Sequence, residues 1–309
     1  MSHPRFEFLF VCTLLFVVAF TGFPVHAQTH TKPTRSKNGK FAQHFKVGKV
    51  DEETPEILRK YMAKMVTVFE IRILATEKTP NEKILHAANV LAQYLDNDGD
   101  GEPDNEQVVK EMVKRRATLI MAATERSFER MIENLENESD SSELDSMVLQ
   151  SLYGSETHPD GAARGLFDGS LEEVLHLITH AGFAHAYPDV FGEKPGTKLG
   201  DAMDKARGGR FRRIPKKYPE GAWYTYDDET CGYGCQAAEY IYWGLTSLLG
   251  AQDFKGREKQ IRHEWRLNTP EKFKEGDKLL HALLTDKQYK FPTKLPDGRY
   301  QPKTSGENK

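Results

Sequence analysis

The chain has 309 residues, with 43 basic and 46 acidic side chains and a formal net charge of −3. So even a balance supplies no strong field for a phosphate backbone and argues against nucleic-acid binding. With 38% hydrophobic residues, the length suffices for one sizeable core.

The chain opens with a weakly positive start through Arg5 and an apolar run, Leu9 to Phe20. Val25-His26-Ala27 then offers small residues, which predicts a signal peptide over 1–27 and a secreted protein. The apolar run is far shorter than the roughly 20 residues of a membrane span. Residues 28–49 are polar, basic and without periodicity, so they read as a disordered arm. Residues 50–290 read as a single globular domain, and 291–309 as a loose polar tail.

Within the domain, helical spacing runs over Glu53 to Met65, and Phe69 to Ile73 alternates like a strand. Glu82 to Leu95 is an amphipathic helix, and Asn105 to Arg115 predicts another. Ala117 to Ala123 reads as a buried strand and Ser127 to Leu135 as a helix. Glu138 to Asp145 is an acidic loop, preceded by the glycosylation sequon Asn137-Glu138-Ser139. Thr157 to Gly169 and Pro188 to Tyr218 are irregular, while Leu171 to Phe183, Gln236 to Leu249 and Glu271 to Leu284 are helical. Helices outnumber strands without regular alternation, so the expected class is α+β, mainly helical with a small sheet. Cys231 and Cys235 flank Gly-Tyr-Gly and read as a disulfide, with free thiols or metal ligation as alternatives.

The run Asp96-Asn97-Asp98-Gly99-Asp100-Gly101-Glu102-Pro103-Asp104-Asn105-Glu106-Gln107 carries carboxylates at loop positions 1, 3, 5 and 9. Calcium takes six to eight oxygen ligands, and Gly101 at position 6 permits the sharp turn. Glu102 offers its backbone carbonyl. Between two predicted helices this resembles an EF-hand, and its acidic core is similar to the loops of thrombospondin type 3 repeats. That resemblance implies bound Ca2+. It departs at position 12, where Gln107 replaces the bidentate Glu and Glu106 stands one residue early.

A second constellation lies on the helix from Leu171. Glu172, Glu173, His176 and His180 fall within about 100° of arc, and two His four apart can grip one metal ion. Ser170 to Glu173 also fits a capping box, and the His pair also fits a solvated face. Glu239 is the one charged residue between Cys235 and Asp253, amid Tyr240, Ile241, Tyr242 and Trp243. A buried carboxylate there needs a pairing cation or a metal. His176, His180 and Glu239 form a His2Glu set, similar to that of gluzincin metallopeptidases. The resemblance implies Zn2+ or another transition metal and a hydrolytic reaction. Leu177 stands where those enzymes carry their general base, so Glu172 or Glu173 would have to substitute.

His86 reads as a packed core residue, and His158 and His185 as possible further ligands. Lys205, Arg207, Arg210, Arg212, Arg213, Lys216 and Lys217 form a basic stretch, either a solvated loop or a site for an acidic glycan. The expected functions are a calcium-binding secreted protein, a metal-dependent hydrolase of an extracellular polymer, and a matrix- or glycan-binding protein.

Overall fold

The computed structural model describes residues 44–136 and 142–303. The expected signal peptide, most of the arm and the sequon at Asn137 lie outside the described residues.

A five-stranded sheet is the frame, in the order β1 (Gly48–Lys49), β2 (Met62–Val68), β3 (Ile71–Thr76), β4 (Thr118–Ala122), β5 (Leu149–Tyr153). The first three strands are antiparallel, and β3, β4 and β5 run parallel. The class is α+β, as the sequence predicted.

The helix predicted over Glu53 to Met65 shrinks to one turn, α1 (Glu56–Arg59). From Met62 the chain is a strand instead: its buried Val66 and Val68 face one core of the sheet, and Met62, before a register shift, packs into the other. The alternation at Phe69 to Ile73 straddles a hairpin turn in which Phe69 and Glu70 both take positive φ, 46° and 66°. Both central residues are left-handed in this way in the tight turns that match strand twist.

Parallel strands need crossovers. The first runs through α2 (Asn81–Leu95), the acidic loop and α3 (Glu106–Lys114); the second runs through α4 (Glu125–Glu136). The two crossovers take opposite faces of the sheet. Ile73, Leu119, Met121 and Leu152 join the core under α2, whereas Leu74, Ile120, Ala122 and Tyr153 pack with Phe128 and Met131 of α4. β5 was not legible in the sequence.

The larger core is then covered by α5 (Ser170–Ile178), a wide π turn over Thr179–Phe183, the short α6 (Ala184–Ala186), α7 (Lys198–Ala206), α8 (Tyr233–Leu248) and α9 (Arg257–Ile261). α7 lies inside the segment expected to be irregular; Thr197 caps it by accepting a hydrogen bond from the Gly200 amide. The helix predicted over Glu271 to Leu284 is two, α10 (Pro270–Gly276) and α11 (Lys278–Thr285). Asp277 breaks it, capping α11 and accepting from the buried Tyr240 hydroxyl at 2.5 Å and from Trp223 Nε1 at 2.8 Å.

α5 is central. It packs against α2, α8 and β5, and the π turn after it packs against α3. Gly182 permits that approach, since a Cβ there would fall 2.6 Å from Val108 Cγ1.

Candidate metal centres

The acidic loop is organised around Asp96, which is buried at the end of α2. Its Oδ1 accepts from the amides of Gly99 and Asp100, and its Oδ2 accepts from the Gly101 amide at 2.8 Å and the Tyr300 hydroxyl at 2.5 Å. Gly99 and Gly101 turn the chain at φ 73° and 97°, where a side chain would strain the backbone. Asp98 accepts from Asp100 N, Asp100 from Glu102 N, and Asp104 from Asn97 N. Oxygens of Asp96, Asp98 and Asp104 gather within 4.8 Å of one another, a spacing that can hold a cation. The Asp104 carboxyl is held above its usual pKa range, first by burial and then by Asp98, Asp96 and Asp100.

Asp100 and Glu102 are exposed on the rim of the loop. Glu106 stands apart on α3, 3.3 Å from Lys110 with most of its side chain exposed, because the helix has begun and turns it outward. Gln107, at the twelfth position, donates to the Ala186 carbonyl. The chain therefore brings three of the six expected calcium residues together by their side chains.

The segment after Phe291 is the loop's partner, where the sequence suggested a loose tail. Asn97 Oδ1 accepts from the amides of Thr293 and Lys294, and Gln93 Oε1 accepts from those of Asp297 and Gly298. Lys303 N donates to the Gly99 carbonyl at 2.8 Å. Polar residues hide this packing from a hydropathy reading, because hydrogen bonds carry it.

The second centre is built on α5 and α8. His176 is fully buried, and neither ring nitrogen has a hydrogen-bond partner among the described residues. Its Nε2 lies 3.7 Å from Glu239 Oε1 and 3.9 Å from Glu172 Oε1. Those distances exceed a hydrogen bond but leave room for an ion between the three groups. Burying two orphaned ring nitrogens is costly without a partner. Glu172, His176 and Glu239 are the second set whose ligand atoms fall within 4.8 Å of one another.

His180 is not in that set. The backbone widens from α to π at Thr179, which shifts the side-chain register, and His180 Nδ1 meets Glu193 Oε2 at 2.6 Å. Glu172 takes its place beside His176. The capping box does not form either: Ser170 Oγ is buried without a partner among the described residues, and Glu173 accepts instead from Gln150 Nε2 on β5 at 2.5 Å. His86 does lie in the core, with Nε2 2.6 Å from Asp168 Oδ2. Asp168 also accepts from the amides of His158 and Ser170, so it fixes the start of α5.

A cavity of about 190 Å³ opens over the centre. Glu156, Glu172, Glu173, Glu239 and Glu264 line it, with Phe167, Tyr226, Tyr242, Trp243 and Arg257. Glu156 and Glu264 escaped sequence reasoning, since each sits in an ordinary polar stretch and only the fold brings it to α5. Burial, then Glu172 and other carboxylates, pushes Glu156 up to about 8, against the Tyr153 amide hydrogen bond. Burial and then Glu172 also push Glu264 up to about 8, with Arg257 opposing. Glu173 and Glu239 are raised well above the usual range, again first by burial. His158 lines the cavity but is not among the clustered ligand atoms, and His185 lies beside His180 with ring centroids 6.4 Å apart.

The basic stretch is partly neutralised. Arg207 is buried, bonded to Asp204, the Phe211 carbonyl and Gln236, and Arg210 meets Asp201 and Asp204. Arg212, Arg213, Lys216 and Lys217 are at least partly exposed. Cys231 and Cys235 are joined as a disulfide at the start of α8, and no helix of the described residues is long and apolar enough to cross a membrane. Comparison with family models, with curated proteins and with solved structures finds no match to the chain.

Proposed function

We propose that this is a secreted, calcium-stabilised metalloprotein, and that Glu172, His176 and Glu239 are the metal ligands of a hydrolase acting on an extracellular polymer. One observation carries the reading: a fully buried histidine with both ring nitrogens unpartnered among the described residues, facing two carboxylates under a cavity. One His and two carboxylates suit zinc or another first-row divalent ion. Such an ion, when bound, polarises a carbonyl and acidifies water.

The chain's own residues supply the rest. Glu264, with its pKa pushed up to about 8, is suited to exchange protons close to neutral pH. In its ionised form it would take the proton of the attacking water and return it to the leaving group, so no residue between His176 and His180 is needed as the base. Tyr226 donates to Glu239 Oε1 at 3.3 Å and orients that carboxylate. Phe167, Tyr242 and Trp243 give the substrate an aromatic wall. Calcium at Asp96, Asp98 and Asp104 holds α2 and α3 against α5 and its π turn.

The test is elemental mass spectrometry of the purified protein and of His176→Ala. Calcium plus about one transition-metal ion per chain, with only the latter lost in the variant, is expected. Calcium alone in the wild type would remove the hydrolase reading and leave a calcium-stabilised structural protein.

A further inference from the structure

We propose that a second cavity, beside the metal cavity, is the subsite for a bulky apolar side chain of the substrate, so that the polymer cut is a polypeptide. The assignment to a substrate rests on the hydrolase reading above; the chemistry of the cavity stands apart from it.

The second cavity has a volume of about 220 Å³ and shares His158 and Phe167 with the metal cavity. Each is smaller than the roughly 300–1,000 Å³ of a pocket that encloses a whole ligand. Two small cavities with a common wall suit two parts of one molecule. Leu166, Phe167, Leu171, Phe254, Leu295 and Pro296 give the second an apolar lining. Among the described residues the exposed large hydrophobic side chains are Leu166, Leu279 and Leu295, and two of these line this cavity. A leucine exposed singly needs no explanation, whereas a pair at one cavity marks a binding surface.

Both leucines are held in place. Leu166 N donates to the Gly161 carbonyl at 3.0 Å, closing a turn. Gly161 has no room for a side chain there, since a Cβ would fall 2.8 Å from the Leu166 carbonyl oxygen. Leu295 stands between Lys294 and Asp297, whose amides donate to Asn97 and Gln93.

The polar groups of the cavity are engaged with neighbours. His86 meets Asp168 at 2.6 Å, Asp160 accepts from Arg299 at 3.1 and 3.2 Å, and Asp297 accepts from Gln93 Nε2 at 2.7 Å. Asp253 is exposed to solvent. A sugar ring buried there would lose the water on its hydroxyls and find few partners. An aliphatic or aromatic group gains by the same burial.

The metal cavity holds the complementary donor. Trp243 lines it and is buried, and its Nε1 has no hydrogen-bond partner among the described residues. A buried donor in that state calls for an acceptor. A polypeptide carries a carbonyl acceptor and an apolar side chain within one residue of each other. That matches an apolar cavity sharing a wall with one that contains a donor. An acyl chain is the competing occupant.

The experiment first titrates the calcium-saturated full chain with N-acetyl-leucine amide, N-acetyl-alanine amide and octanamide, followed by NMR. The leucine amide is expected to bind at least about tenfold more tightly than the alanine amide. Equal affinity, or no binding of either, overturns the subsite, and this comparison needs no variant. Octanamide binding more tightly than the leucine amide overturns the polypeptide in favour of an acyl chain. The Leu166→Ser/Leu295→Ser variant replaces exposed side chains, so it is expected to keep its circular dichroism and metal content and to lose the preference for leucine. A preference that survives in the folded variant overturns the assignment to this cavity. The metal-loaded chain is then given a mixture of peptides and the cuts are mapped by mass spectrometry. Cuts beside Leu, Phe or Met, with the preference lost in the variant, are expected. Cuts without side-chain preference overturn the subsite and leave the hydrolase reading intact. Selective binding of the leucine amide with no peptide cut overturns the hydrolase reading, and the substrate assignment with it.

Discussion

Among single residues, Tyr300 and His176 divide the chemistry between the two centres. Tyr300 reaches Asp96 across 204 positions of the chain and donates to the carboxylate that occupies the first position of the acidic loop. Burial, then the Asp96 hydrogen bond and charge, raise the Tyr300 pKa, so the hydroxyl stays a donor. Tyr300→Phe removes one hydrogen bond to a charged acceptor, a change of roughly 1–2 kcal/mol. Calcium affinity measured by titration calorimetry is expected to weaken about tenfold, with the fold retained; unchanged affinity would mean that the hydroxyl does not orient Asp96. His176 was visible in the sequence as a metal candidate because its type and helical position are local facts. Its partner was not, because the choice between His180 and Glu172 depended on a change of helical pitch at Thr179.

Between elements, the acidic loop, holding calcium as proposed, works as a clasp. α2 ends at it and α3 begins from it, and the segment 293–303 closes over it through Asn97, Gln93, Gly99 and Asp96. Removing calcium leaves Asp96, Asp98 and Asp104 mutually repelling. Hydrogen exchange is therefore expected to rise first in 293–303 and at the loop when a chelator is added. It should remain slow in β3 and β4, whose residues are buried in the core. Faster exchange spread evenly over the sheet would contradict a local clasp. The helix–loop–helix could be read from spacing alone, since four closely spaced Asp and a Gly at the turn are a local pattern. The closing segment could not, because its contacts join distant parts of the chain.

For the molecule as a whole, one contact between side chains ties the two centres together. His86 on α2 meets Asp168, and Asp168 holds the amides that begin α5, the helix of Glu172 and His176. Burial by itself would raise the Asp168 pKa, but the bond and charge of His86 and the hydrogen bonds from His158 and Ser170 outweigh it and lower the pKa. A carboxyl with a depressed folded pKa contributes stability above its unfolded value, near about 4, and loses it as pH falls through the folded one. Asp168→Asn is expected to lower stability by about 2 kcal/mol at neutral pH, with the difference from wild type shrinking below about pH 4. Melting curves across that range check this, and a difference that persists in acid would place the loss in packing instead. By itself the sequence determined the α+β class and the acidic loop between its helices, and it favoured the Cys231–Cys235 disulfide that the structure forms, because these follow from local spacing, composition and short-range turns. Only the tertiary structure decided that Glu172 rather than His180 stands beside His176, that Glu156 and Glu264 share its cavity, and that the final segment closes the loop. Those outcomes depend on burial and on contacts between residues far apart in the chain, and local periodicity carries no record of which distant carboxylates a fold will gather.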